Sequence, residues 1–167
     1  MIFLVNDANI LIDLLKIDLL DTFFHLEYDF QVTDMAFAEI LEGNAAVLFP
    51  FLEKGLLAKQ GFSFEELLQI QLLEVENPFL SIADCSCLYL SRKISATLLT
   101  GDAALRRTAE QNNIVVHGIL WVLDEIIATG LISEKEARGK LIQLMELNSR
   151  LPTGECQKRI KFWGKGL

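Results

Sequence analysis

Apolar positions along the chain follow two rhythms. Short unbroken runs at Ile2 to Val5, Phe30 to Thr33, Thr97 to Thr100 and Ile114 to Val116 predict buried strands. Between them lie stripes of helical period. After Asn9 come Ile10, Leu11, Leu14, Leu15, Ile17 and Leu20. Asp34 is placed to cap a helix carrying Met35, Phe37, Ala38, Ile40 and Leu41, with a stop near Gly43. Residues 45–54 suit another helix, and Leu57 to Gln60 reads either way. Ser63-Phe-Glu-Glu66, Ser81-Ile-Ala-Asp84 and Ser133-Glu-Lys-Glu136 have the spacing of capping boxes. They predict helices reaching about Leu73, Lys93 and Asn148. Asp102 can cap a helix through Gln111, and Ile119 to Ala128 is an apolar helix stopped by Gly130.

Strands alternating with helices predict an α/β fold: a single-domain α/β/α sandwich with a central, mainly parallel sheet of four to five strands. Residues 1–148 make the domain. Residues 149–167 form a basic C-terminal tail, with Arg150, Lys158, Arg159, Lys161 and Lys165 against Glu155 alone, and a frayed end is its default.

Composition narrows the picture. A chain of 167 residues, 51% hydrophobic, suits one globular core. No apolar stretch reaches the roughly 20 residues of a membrane span. The apolar start is cut at Asn6-Asp7, too early for a secretory signal, so it reads as a core strand. Cys85, Cys87 and Cys156 show no metal-ligand spacing and suit buried thiols in a reducing cytoplasm. A net charge of -8 argues against a general nucleic-acid-binding surface. It leaves room for an enzyme that holds an anionic substrate through cations and a local basic patch.

Four acids stand at element boundaries: Asp7, Glu39, Asp84 and Asp102. Asp34, Asp84 and Asp102 are each explicable as helix caps or first-turn acids. Asp7 directly follows an apolar strand, where an acid does nothing obvious for the fold. If the strands run parallel, all four acids can face one crevice beyond the strands' carboxyl ends. Clustered carboxylates repel and raise one another's pKa, and Mg²⁺ or Mn²⁺, which prefer oxygen ligands, relieves that cost.

The motifs around these acids resemble the PIN-domain family. Leu4-Val-Asn-Asp-Ala-Asn-Ile-Leu-Ile-Asp13 looks like its opening, with Ala8 where Ser or Thr is common. Thr33-Asp-Met-Ala-Phe-Ala-Glu-Ile40, Leu80-Ser-Ile-Ala-Asp84 and Leu99-Thr-Gly-Asp-Ala-Ala-Leu-Arg106 resemble the three later motifs, in order. The resemblance covers roughly residues 1–130, and the segment from Gly118 to Ile132 looks like a prokaryotic subgroup. It implies a Mg²⁺- or Mn²⁺-dependent endoribonuclease acting on RNA. Asp7, Asp84 and Asp102 would be metal ligands, with Glu39 a ligand directly or through water. Asn9, Thr100 and Ser81 would orient the site. Many stand-alone prokaryotic members are VapC-type toxins, so the resemblance also implies an antitoxin protein partner, a homodimer and a cytoplasmic location.

Arg106 and Arg107 follow Asp102 and are placed to contact RNA phosphates; the alternative for Arg106 is an ion pair with Glu110. His25, His117 and Trp121 read as ordinary surface, core or interface residues. A haloacid-dehalogenase-type phosphatase would need a second Asp where Asn9 stands. A receiver domain would need a lysine that no motif supplies. A PIN-like module that binds RNA or protein without turnover is the remaining alternative.

Overall fold

Phe3–Asn6 forms β1, with Leu4 and Val5 fully buried. A parallel strand covered on both faces needs a continuous apolar run, which is what the sequence supplies. The computed structural model describes residues 1–41 and 45–165. Asp29–Thr33 (β2), Leu57–Gln60 (β3), Thr97–Leu99 (β4) and Val116–His117 (β5) join β1 in the sheet of the described residues. Its order is β3-β2-β1-β4-β5, and every pairing is parallel. Val5 lies opposite Gln31 on one side and Leu98 on the other.

The helices are Ala8–Lys16 (α1), Leu20–Phe23 (α2), Asp34–Leu41 (α3), Phe49–Glu53 (α4) and Phe64–Glu76 (α5). They continue with Ile82–Lys93 (α6), Ala103–Gln111 (α7), Ile119–Ala128 (α8), Glu134–Leu147 (α9) and Thr153–Trp163 (α10). A 3-10 turn spans Ala45–Leu48. Helix α6 lies across β1, β2 and β4, and its Cys85, Cys87 and Leu88 are fully buried. Among the described residues no helix is long and apolar enough to cross a membrane.

The chain builds β1, β2 and β3 outward to one side, then returns past β1 to lay down β4 and β5 on the other. Strand order therefore reverses between β1 and β4. In an open parallel sheet such a reversal leaves a crevice beyond the carboxyl ends of the two strands. Asp7 follows β1 directly, and Thr100, Gly101 and Asp102 follow β4 directly.

Several sequence expectations shift here. The ambiguous segment at residues 57–60 is an edge strand, β3. The fourth apolar run pairs later than expected, as Val116–His117. The first helical stripe breaks after Lys16, where Asp18 takes φ 57° and turns the chain into α2. Asp34 is the first residue of α3 and not its cap; the buried Thr33 hydroxyl caps the helix by accepting from the Ala36 N–H at 3.0 Å. The expected stop at Gly43 lies outside the described residues. The tail, expected to fray, is helical over Thr153–Trp163: α10 packs against α9 and buries Cys156 and Trp163.

Candidate functional site

The crevice is organised around Thr100, which is fully buried. Its hydroxyl donates to Asp7 Oδ2 at 2.8 Å and accepts from the Asp102 N–H at 3.0 Å. One side chain thus couples the acid after β1 to the acid after β4. Asp102 in turn is the N-cap of α7, its Oδ1 accepting from the Leu105 N–H at 2.8 Å.

Asp84 is fixed by a reciprocal capping box at the start of α6. Ser81 Oγ accepts from the Asp84 N–H, and Asp84 Oδ2 accepts from the Ser81 N–H at 2.8 Å. Helices α6 and α3, which carry Asp84 and Glu39, are tied at their starts. The Thr33 and Ser86 hydroxyls are 2.7 Å apart, and Ser86 donates onward to the Ala83 carbonyl at 2.6 Å.

Asp7 is only 2% exposed. Burial is the main reason its pKa is pushed up to about 7, and the charges of Asp84 and Glu39 push the same way against the Thr100 bond. Asp7 therefore feels the charges of both Asp84 and Glu39, and Asp102 is linked to Asp7 through Thr100. Glu39 itself sits on an exposed stretch of α3 and has interactions of its own. Cys87 lies under the same crevice. Burial, and then the charge of Asp7, hold its thiol far above the usual range, which makes it an inert core group.

These side chains suit a hard divalent cation by their chemistry. They are all oxygen donors, one is buried, and they repel in its absence. Each of these cap or hydroxyl bonds uses one oxygen of a carboxylate that has two. Among the described residues, however, no three acidic, histidine or cysteine groups are already gathered tightly enough to enclose an ion.

Beside Asp102 a groove of about 1130 Å³ opens and runs away from the crevice. Asn9, Thr100, Asp102 and Arg106 stand at its inner end, and His117 and Trp121 line its wall. Arg106 donates to the Val116 carbonyl at 3.4 Å and lies 3.6 Å from Glu110, so the expected pair with Glu110 forms while the residue faces the groove. Arg107 is exposed and does not line the groove.

Sequence reasoning passed over three features of this groove. The His117 and Trp121 rings stack with centroids 4.4 Å apart and planes 6° apart. His117 is the last residue of β5, at the same carboxyl edge of the sheet as Asp7, and that position was its available signal. Asp13, buried on α1, accepts from Asn148 Nδ2 at 2.9 Å, which pins the end of α9 against α1. Arg159 on α10 donates to Asp124 through Nε and Nη2, at 2.7 Å for the shorter bond to Oδ2.

Residues 3–165 match a family model described as a PIN domain. No curated protein matches the chain.

Proposed function

Since this chain belongs to the PIN-domain family, a nuclease-type fold, we propose that it is a Mg²⁺- or Mn²⁺-dependent endoribonuclease. The observation that carries the reading is Asp7. A buried carboxylate beside two other acids, at the point where strand order reverses, is costly to the fold and useful to a cation. Asp7, Asp84 and Asp102 would hold the ion, with Glu39 direct or through water. A bound divalent ion lowers the pKa of a water and offsets charge on a phosphodiester. Thr100 aims the Asp7 carboxylate, the Ser81 box aims Asp84, and the α7 N-terminus aims Asp102. Asn9 and Arg106 border the crevice, placed to hydrogen-bond an RNA backbone.

The test is cleavage of a mixed single-stranded RNA with Mg²⁺ or Mn²⁺ supplied. Cleavage should vanish with EDTA and in Asp7→Asn and Asp102→Asn, while those variants stay folded. Cleavage that survives both treatments would sink the reading.

A toxin role with an antitoxin partner, and a homodimer, belong to the same proposal. Support comes from α5, whose Phe64, Leu68, Leu72 and Val75 are exposed on a face that no described element covers. A second reading, an RNA-binding PIN module without turnover, draws on the ungathered state of the acids among the described residues. Single-stranded RNA binding with no cleavage under any divalent ion would favour it.

A further inference from the structure

The groove beside Asp102 differs from the rest of the molecule in charge. The chain carries a net charge of -8. The groove lining contains Lys16, Arg106, Arg150 and Arg159 against Asp13, Asp102 and Glu155. Two of those acids are already engaged within the protein: Asp13 with Asn148, and Asp102 with the α7 N-terminus. The lining thus carries four cations against three acids, a local excess of one on an acidic protein, with Arg106 and Arg159 themselves paired to Glu110 and to Asp124 and Glu155.

Its wall has a second character. His117 and Trp121 present stacked planar rings, and Tyr28 supports Trp121 from another side with ring centroids 5.9 Å apart. Tyr28 is itself held by donating its hydroxyl to Glu125 at 2.6 Å. Burial and the nearby Arg106 lower the His117 pKa, so it offers a neutral aromatic face near neutral pH. Fixed aromatic rings interleaved with cations are what a single strand of nucleic acid uses: bases stack, phosphates pair.

The far wall is built, not incidental. The Asp13–Asn148 bond holds the end of α9, and Asn148 Oδ1 accepts from the Arg150 N–H at 3.0 Å, which shapes the turn carrying Arg150. Arg159, fixed by Asp124, closes the outer end.

We propose that this groove is the bed for the single-stranded RNA segment flanking the cleaved bond. The strand leaves the acidic crevice at Thr100–Asp102, passes Arg106, stacks a base on the His117–Trp121 pair and meets Lys16 and Arg150. This rests on the ribonuclease reading and gives the strand a path along the protein surface, with the His117–Trp121 pair as its stacking platform.

The experiment separates binding from cleavage. Binding of a fluorescein-labelled single-stranded RNA is measured by anisotropy in EDTA, alongside quenching of Trp121 fluorescence in a Trp163→Phe background. Saturable quenching that tracks anisotropy is expected, and duplex RNA of the same sequence should bind without it. His117→Ala should weaken binding roughly five- to hundredfold, the range for loss of one base–aromatic stack. The double variant Lys16→Glu, Arg150→Glu changes two surface charges and should lower the salt slope by about 0.7 for each phosphate that is no longer neutralised. RNA that binds, or is cleaved with Mg²⁺, without quenching Trp121 and regardless of the groove variants would overturn the groove assignment alone. Absence of any RNA binding or cleavage would overturn the ribonuclease reading and the groove with it. Quenching by poly-glutamate but not by RNA would assign the groove to an acidic protein segment and also overturn the proposal.

Discussion

Replacing Asp7 by Asn removes a charge that the metal-free fold holds at a cost. The carboxyl rises from an ordinary value of 3.8 to about 7, chiefly through burial and then through Asp84 and Glu39. At about 1.4 kcal/mol per pH unit, the full rise is worth roughly 4 kcal/mol. The sign follows from proton counting. Between these two values the folded state keeps the proton and the unfolded state has lost it, so stability falls as pH rises. The contribution is fully present below the unfolded value of 3.8 and gone once pH passes about 7. Asn is neutral throughout and escapes this decline. In EDTA, the variant should therefore gain on the wild type by roughly 2–3 kcal/mol between about pH 5 and about pH 8. For a chain of this size that is about 5–10 °C in Tm, read by calorimetry or by fluorescence melts. Added Mg²⁺ should raise the wild-type Tm near pH 8 and leave the variant unmoved. A gap between the two proteins that does not change with pH would refute the claim that Asp7 is a buried, strained carboxylate.

Thr100→Val keeps the shape but strips a donor from Asp7 and an acceptor from the Asp102 N–H, and should cost about 1–3 kcal/mol in urea unfolding. The same variant should slow RNA cleavage without changing RNA affinity in EDTA. Ser81→Ala breaks one half of the box at α6 and should cost about 1 kcal/mol by the same assay. Asn148→Ala leaves the Asp13 carboxyl buried without its donor, a loss of about 1–3 kcal/mol. If the groove carries RNA, that variant should also weaken binding, which anisotropy would detect.

The central elements were legible because local pattern and tertiary need agree there. Buried parallel strands must be continuously apolar, so Ile2 to Val5 and Thr97 to Leu99 stood out, and the acids following them stood out in turn. The capping boxes at Ser63 and Ser81 are contained in four residues each and were readable for that reason. The edge strand at residues 57–60 was ambiguous because one side of it is exposed and its pattern is mixed. Thr33 was missed as a cap because Asp34 has the same local preference, and only the strand's end point decides between them. The groove was illegible for a different reason. Asp13 and Asn148 are 135 residues apart, and no local spacing announces such a bond. The terminal helix did leave a trace: Cys156, Ile160 and Trp163 recur at i, i+4 and i+7, a stripe masked by the surrounding lysines.

Two of the acids already have employment in the fold. Asp84 and Asp102 each satisfy a backbone N–H at a helix start, through one oxygen. An amide keeps that oxygen as an acceptor and loses the negative charge. Exchanging one oxygen for an amino group at either position therefore leaves the architecture standing while disarming the crevice. The intact fold and the charged site are separable by a single atom's identity. A well-folded but inert form of this protein is thus chemically very near the native one, and correct folding alone is a poor indicator of a competent copy.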